Sequence, residues 1–421
     1  MPSQTASSLV LNLGNAFGAL RHRNYRTYTI GNSISLIGTW AQRVTVGWLT
    51  WELTHSATWL GLVAFADLFP AVILSPWSGA LADRRERLVI IWITMLFAMS
   101  QATLLAIVTA FDFIDIWGLF GLTLSLGCAN AIAQPARLAL IPNLVEREAL
   151  SSAVAINSVV FNTARFIGPT IAGIVIKDSG VSLAFALNAL SYVAFILSLI
   201  NLKVVRPEQP TVSRNVWDDT LAGYRYAAEH QGIGAMLLLM AATTLGQRSV
   251  IELLPGFAGA VFHRGPEGLA WLTGMVGVGA MAGGIWVAGR KRLDGLTHVV
   301  VITVGVSTLF LFGFVSTAIF WVALPCLFVV GFAQVITGVA AQTLIQSAVD
   351  PRMRGRILSL YGMIFRGGPA VGALVFGIVG SHLGLRVSVA ISAATGIAVC
   401  LYGRRREARI AAALEGDGES G

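Results

Sequence analysis

Twelve apolar runs, each long enough to cross a bilayer as a helix, dominate this chain of 421 residues. They fall at roughly 27–51, 57–82, 88–110, 116–141, 147–176 and 182–204, then at 233–262, 267–289, 297–316, 319–348, 355–380 and 384–403. About 20 apolar residues in a helix match the thickness of the hydrocarbon core, and a helix satisfies its own backbone polar groups where no water is present. Only 12% of the residues are charged and the mean hydropathy is +0.73, whereas a soluble domain is about a quarter charged. The chain therefore reads as an all-α integral membrane protein. Pro70, Pro76, Pro169, Pro255, Pro325 and Pro369 lie inside these runs, where packed membrane helices use proline to bend.

Orientation follows from the loops. With twelve spans both ends share one side, and that side collects 22 of the 29 Lys and Arg residues. The opposite side holds only Lys177, Arg264 and Arg386. The positive-inside rule then places both termini in the cytoplasm. The net charge of +8 is spread over short loop clusters, a pattern suited to anionic headgroups and not to a nucleic-acid stripe. No short apolar core with a small-residue cleavage site occurs near the start, so the first span is itself the expected targeting signal.

The longest polar stretch, 206–232, divides the chain. The expected organisation is a cytoplasmic segment 1–26, a six-helix bundle 27–205, a cytoplasmic linker 206–232, a second six-helix bundle 233–403 and a cytoplasmic tail 404–421. Within the linker, Trp217, Leu221, Tyr224 and Ala228 share one face of an expected interfacial helix over 214–230. The three cysteines, Cys128, Cys326 and Cys400, sit in apolar runs with no CxxC pair, so neither a disulfide framework nor a metal site is expected. No cofactor is called for.

The halves repeat. Arg165-Phe166-Ile167-Gly168-Pro169 in the fifth run answers Arg366-Gly367-Gly368-Pro369 in the eleventh. Two pseudo-symmetric six-helix bundles with a solute site near the midplane form a transporter architecture. Between the second and third runs stands Gly79-Ala80-Leu81-Ala82-Asp83-Arg84-Arg85-Glu86-Arg87. This resembles the signature loop of the major facilitator superfamily at Gly79, Asp83, Arg84 and Arg87, with Glu86 where that loop usually has a second glycine. Gly168-Pro169 resembles the family's antiporter motif. Asn24-Tyr25-Arg26, Gly38 to Arg43, Glu52 to Ser56 and Pro135-Ala136-Arg137 resemble its secretion-effector branch, which includes enterobactin-type siderophore exporters. The resemblance covers about residues 20–405. It implies alternating-access export of a small organic solute, lipophilic, drug-like or siderophore-like, by a monomer in a bacterial cytoplasmic membrane. It also implies a gate around Gly79, Asp83, Arg84, Arg87, Gly168 and Pro169 and a proton as coupling ion.

Six ionisable residues fall well inside spans: Arg43, Asp67, Arg165, Arg248, Glu252 and Arg366. Each costs ~2.5–3.5 kcal/mol at a membrane helix centre if uncompensated, so each must meet a partner or a wet cavity. Helical spacing groups Asn32, Ser35, Thr39, Gln42 and Arg43 on the first span, and Thr123, Gly127, Asn130, Gln134 and Arg137 on the fourth. Thr244, Gln247, Arg248 and Glu252 follow on the seventh, and Gln334, Gly338, Gln342 and Gln346 on the tenth. In the family resembled, these four spans line the cavity. The expected solute-contacting residues are therefore Gln42, Arg43, Asn130, Gln134, Arg165, Gln247, Arg248, Gln334, Gln342 and Arg366. Glu252, four residues from Arg248, and Asp67, just before Pro70, are the expected proton carriers. The arginines suit an acidic solute or equally offset the acids and the carbonyls freed at proline bends. An uptake permease for a small anionic solute and a non-transporting sensor or scaffold of the same fold stand as alternatives. No metal-spaced His/Cys set, phosphate loop or triad points to an enzyme, and a simple channel needs neither the repeat nor the gate.

Overall fold

The computed structural model describes residues 18–200, 202, 216–290 and 293–415, and every secondary-structure element among them is helical. The helices are α1 Arg23–Thr54, α2 Ala57–Leu68, α3 Pro70–Arg84, α4 Arg87–Ala110, α5 Ile116–Leu140 and α6 Leu150–Ile200. Then come α7 Val216–Glu229, α8 Gln231–Gly246, α9 Pro266–Ala288, α10 Leu296–Ser316, α11 Phe320–Ala348, α12 Arg354–Leu383 and α13 Leu385–Leu414. Ten helical stretches among the described residues are long and apolar enough to cross a membrane. The stretch 147–200 is one of them, although Gly180, at φ 87° and ψ 170°, interrupts its helical path. α1 has 32 residues but is not one of the ten, because its polar stripe dilutes its hydropathy.

Proline and glycine act where the sequence placed them. Pro70 has no N–H to continue α2, so the second run breaks at Phe69 into α2 and α3. Pro135, Pro169, Pro325 and Pro369 stay inside continuous helices. The internal repeat returns in the turns: Gly180 and Gly384 have φ of 87° and 86°, while His55 and His263 have φ of 47° and 49°. Only glycine takes the first pair's conformation without strain. The chain between α8 and α9 is irregular, passing from a 3-10 segment at Arg248–Leu253 through Leu254–Gly256 to a π-helical turn at Phe257–Val261.

Packing divides the chain into two compact units that cut across the repeat. One comprises Met1–Thr45, Leu74–Ile114 and Cys128–Thr211; the other comprises Val46–Ile73, Asp115–Gly127 and Val212–Gly421. In the first unit, α1 lies against the second part of α6 through Gly31 and Gly38, which face Ser198 and the Asn188–Ser191 turn. Tyr25 donates to the Ala153 carbonyl at 2.7 Å, and Ser182 to that of Ala106 at 2.8 Å. In the second unit, α2 belongs with the second half because it packs on α12. A Cβ at Gly61 would stand 3.0 Å from Ala373 C, and one at Gly377 would stand 2.5 Å from Ala57 O. Thr58 seals the helix start by donating its N–H to Ser381 Oγ at 2.9 Å.

One helix runs past its expected boundary. α13 runs through the expected tail as far as Leu414, with Ile410 and Leu414 buried in a cluster with Ile233, Met236 and Leu344. The Glu415 carboxylate then accepts from the Gly295 and Thr297 N–H groups, at 2.7 Å each, capping α10. His298 Nδ1 lies 2.5 Å from Glu407 Oε1 beside it. α7 forms inside the expected linker, but it packs through Gly223 and Ala227 and leaves Leu221 and Tyr224 exposed. The remainder of 206–215 and the Trp217 side chain lie outside the described residues.

Candidate functional site

In the first unit, Gly168 lets α6 touch α1 backbone to backbone. A Cβ there would meet Trp40 Cβ at 2.6 Å, Ile37 O at 2.8 Å and Ala41 N at 2.9 Å. One turn before Gly168, the Arg165 guanidinium lies 5.7 Å from the Trp40 ring centre, and Arg43 lies 5.6 Å from the same ring. Phe161 meets that indole edge-on at 5.7 Å. Arg43 reaches Trp40 because positions three apart share a helix face. A guanidinium over an indole gains ~0.5–2 kcal/mol, more where water is scarce.

The second unit has the counterpart. Gly368 approaches α8, where a Cβ would collide with the Thr244 side chain and stand 3.2 Å from Leu245 N. The Arg248 guanidinium lies 3.8 Å above the Phe365 ring, and Tyr361 stacks on Phe365 at 5.7 Å. Tyr361 is fixed by donating to Gly338 O at 2.8 Å. Aligning the two Gly-Pro pairs sets Arg165 opposite Phe365 and Phe166 opposite Arg366. The cation–ring contact is therefore kept with its partners exchanged between helices, and Arg366 is the additional charge. It is half-buried, and among the described residues no hydrogen bond, ion pair or ring contact reaches its guanidinium.

Three glutamines expected to touch solute do something else. Gln42 is 2% exposed; it donates to Gln101 Oε1 on α4 at 3.0 Å and accepts from Asn188 Nδ2 on α6 at 2.5 Å. Gln247 is fully buried, donates to Thr308 Oγ1 on α10 at 2.6 Å, and lies against Gly396 of α13. Gln334 donates to the Gln247 carbonyl at 3.2 Å. Adjacent helical residues point about 100° apart, so when Arg43 or Arg248 faces a neighbouring ring the preceding glutamine faces the interior of its own unit. Each of these three side chains is held by hydrogen bonds inside its own unit.

The other expected residues remain accessible. Asn130, Gln134 and Gln342 are half-buried or exposed and have no hydrogen-bond partner among the described residues. Asp67 and Glu252 are half-buried and each takes part in a polar or electrostatic interaction. The stretch Arg248–Leu253 is 3-10 wound, so positions three apart, and not four, share a face there. In the signature loop, Arg87 donates to the Ala139 carbonyl at 2.8 Å and so caps the end of α5. Among the described residues nothing lies within 4 Å of a Cβ at Gly79. The side chains of Asp83 and Arg84 lie outside the described residues. Sequence reasoning missed Trp40, Tyr361 and Phe365; for Trp40 and Phe365 the available signal was an aromatic residue three or one positions from an in-span arginine.

Comparison with known proteins agrees with this architecture. A family model described as transmembrane secretion effector matches residues 14–416. The staphyloferrin A transporter of Staphylococcus aureus is 26% identical over 358 residues, covering 83% of this chain and 87% of that protein. The enterobactin exporter of Escherichia coli is 24% identical over 367 residues, covering 84% and 82%. A crystal structure of the nucleoside transporter NupG superposes with a TM-score of 0.71 at 13% identity, over 91% of this chain and 98% of that one, a likeness of fold alone.

Proposed function

This chain belongs to the transmembrane secretion effector family of the major facilitator superfamily, a family of membrane transporters and not of enzymes; on that premise we propose that it exports a small organic solute by alternating access, through proton-coupled antiport. The direction rests on the likeness to a protein named as an exporter. The observation that carries the mechanism is the contact of α2 with α12, where Gly61, Gly377, Thr58 and Ser381 bring a first-half helix and a second-half helix together with no large side chain between them. A joint of small residues closed by a few hydroxyl bonds is cheap to open, which an alternating gate requires.

In this reading α1 and α2–α3 are two spans, α6 is two spans joined at Gly180, and the protein has twelve in all. Both termini are cytoplasmic, in keeping with the distribution of basic residues over the loops. Asn130 and Gln134 in the first unit, and Gln342 in the second, are the residues each unit offers to the solute, since an amide without a protein partner at membrane depth needs water or solute. Glu252 and Asp67 carry the proton. The test is solute-coupled proton flux in proteoliposomes for the wild type, Glu252→Gln, Asp67→Asn and the double variant. Coupling should vanish in at least the double variant; unchanged coupling there excludes both carboxylates.

A further inference from the structure

Four basic residues fall well inside the spans, Arg43, Arg165, Arg248 and Arg366, against two acids, Asp67 and Glu252. Even when each acid neutralises one guanidinium, these six groups carry a formal charge of +2 at membrane depth, where charge is strongly disfavoured. The two acids are both engaged, so the surplus is cationic and no idle carboxylate awaits a cationic solute. Arg366 is the residue where the surplus is visible. It stands thirteenth of the 30 residues of α12, near the helix middle, half-buried and without a partner among the described residues. Its sequence neighbour Phe365 carries the Arg248 guanidinium at 3.8 Å and stacks on Tyr361.

We infer that the exported solute is an organic anion whose acidic group is taken by the Arg366 guanidinium. The planar fork of arginine matches a carboxylate with two parallel N–H···O bonds. This rests on the transporter reading and narrows it to a charge class. An arginine held unpaired for a ligand also makes the empty protein less stable than an apolar side chain of similar length would.

The test uses the full chain in lipid nanodiscs and two xanthene dyes of opposite charge, carboxyfluorescein and rhodamine 6G. Wild type should bind carboxyfluorescein in preference to rhodamine 6G, and Arg366→Gln should weaken that binding by about tenfold or more, with Arg366→Lys between the two. Arg366→Met should raise the unfolding temperature of the ligand-free protein. A lowered unfolding temperature means that Arg366 has a structural partner and overturns the proposal. So does an unchanged dye affinity in Arg366→Gln, a preference for rhodamine 6G, or binding of neither dye. Gradient-driven export of rhodamine 6G by wild type would overturn the anionic class while leaving the exporter reading intact.

Discussion

Gln42 and Gln247 hold equivalent places in the two halves of the chain: each ties the first long helix of its half to two others. Gln42 joins α1 to α4 and α6 through Gln101 and Asn188, and Gln247 joins the end of α8 to α10 at Thr308 while lying on α13 at Gly396. Truncating either leaves buried polar partners unmade, at ~1–3 kcal/mol. Gln42→Ala should lower the unfolding temperature of the detergent-solubilised protein while leaving solute affinity within about twofold. A large affinity loss without destabilisation would return Gln42 to the solute path.

The Gly-Pro pairs predict a contrast among glycines. Gly168 and Gly368 leave no room for a Cβ, whereas Gly79 has nothing within 4 Å among the described residues. Gly168→Val and Gly368→Val should each destabilise by ~1–3 kcal/mol through overpacking, read as a loss of folded yield and thermal stability. Gly79→Ala should leave thermal stability unchanged. Comparable melting of Gly168→Val and wild type would show that α1 and α6 can separate at no cost.

The contact between α2 and α12 predicts a shift of state. Gly61→Leu and Gly377→Leu insert side chains where backbones meet, so the closed joint should weaken by ~1–3 kcal/mol, about five- to 150-fold in population. In a background lacking Cys128, Cys326 and Cys400, a cysteine at position 60 should then react faster with a membrane-impermeant thiol reagent applied from the side carrying Thr58. An unaltered rate would mean that this joint does not open.

The Glu415 cap predicts a stabilising role for the end of the chain. Glu415→Ala removes two charge-assisted bonds to the start of α10 and should cost ~1–2 kcal/mol, less than a buried pair because the site is only partly buried. Ending the chain at Gly403 also strips Ile410 and Leu414 from the cluster around Ile233 and Met236, and should lower the unfolding temperature further. Equal stability of the shortened and full chains would show that the extension of α13 is only apposed.

Much of this was legible in residues 1–421 alone. Apolar length marks membrane helices because transfer into lipid is a property of composition, and Pro70 marks a bend because its missing N–H is a local property. The two Gly-Pro pairs carried the repeat, and the in-span arginines drew attention to α1, α6 and α12. What only the tertiary structure decided is which way the helices are turned. Helical periodicity fixes Gln42 about 100° from Arg43, and the 3-10 winding that follows Gln247 likewise separates it from Arg248. It does not say which of each pair faces the interior of its own unit, because both are polar and no hydropathy pattern ranks them. Packing ranked them: the glutamines found Asn188, Gln101 and Thr308, the arginines found Trp40 and Phe365, and Arg366 was left with no protein partner among the described residues.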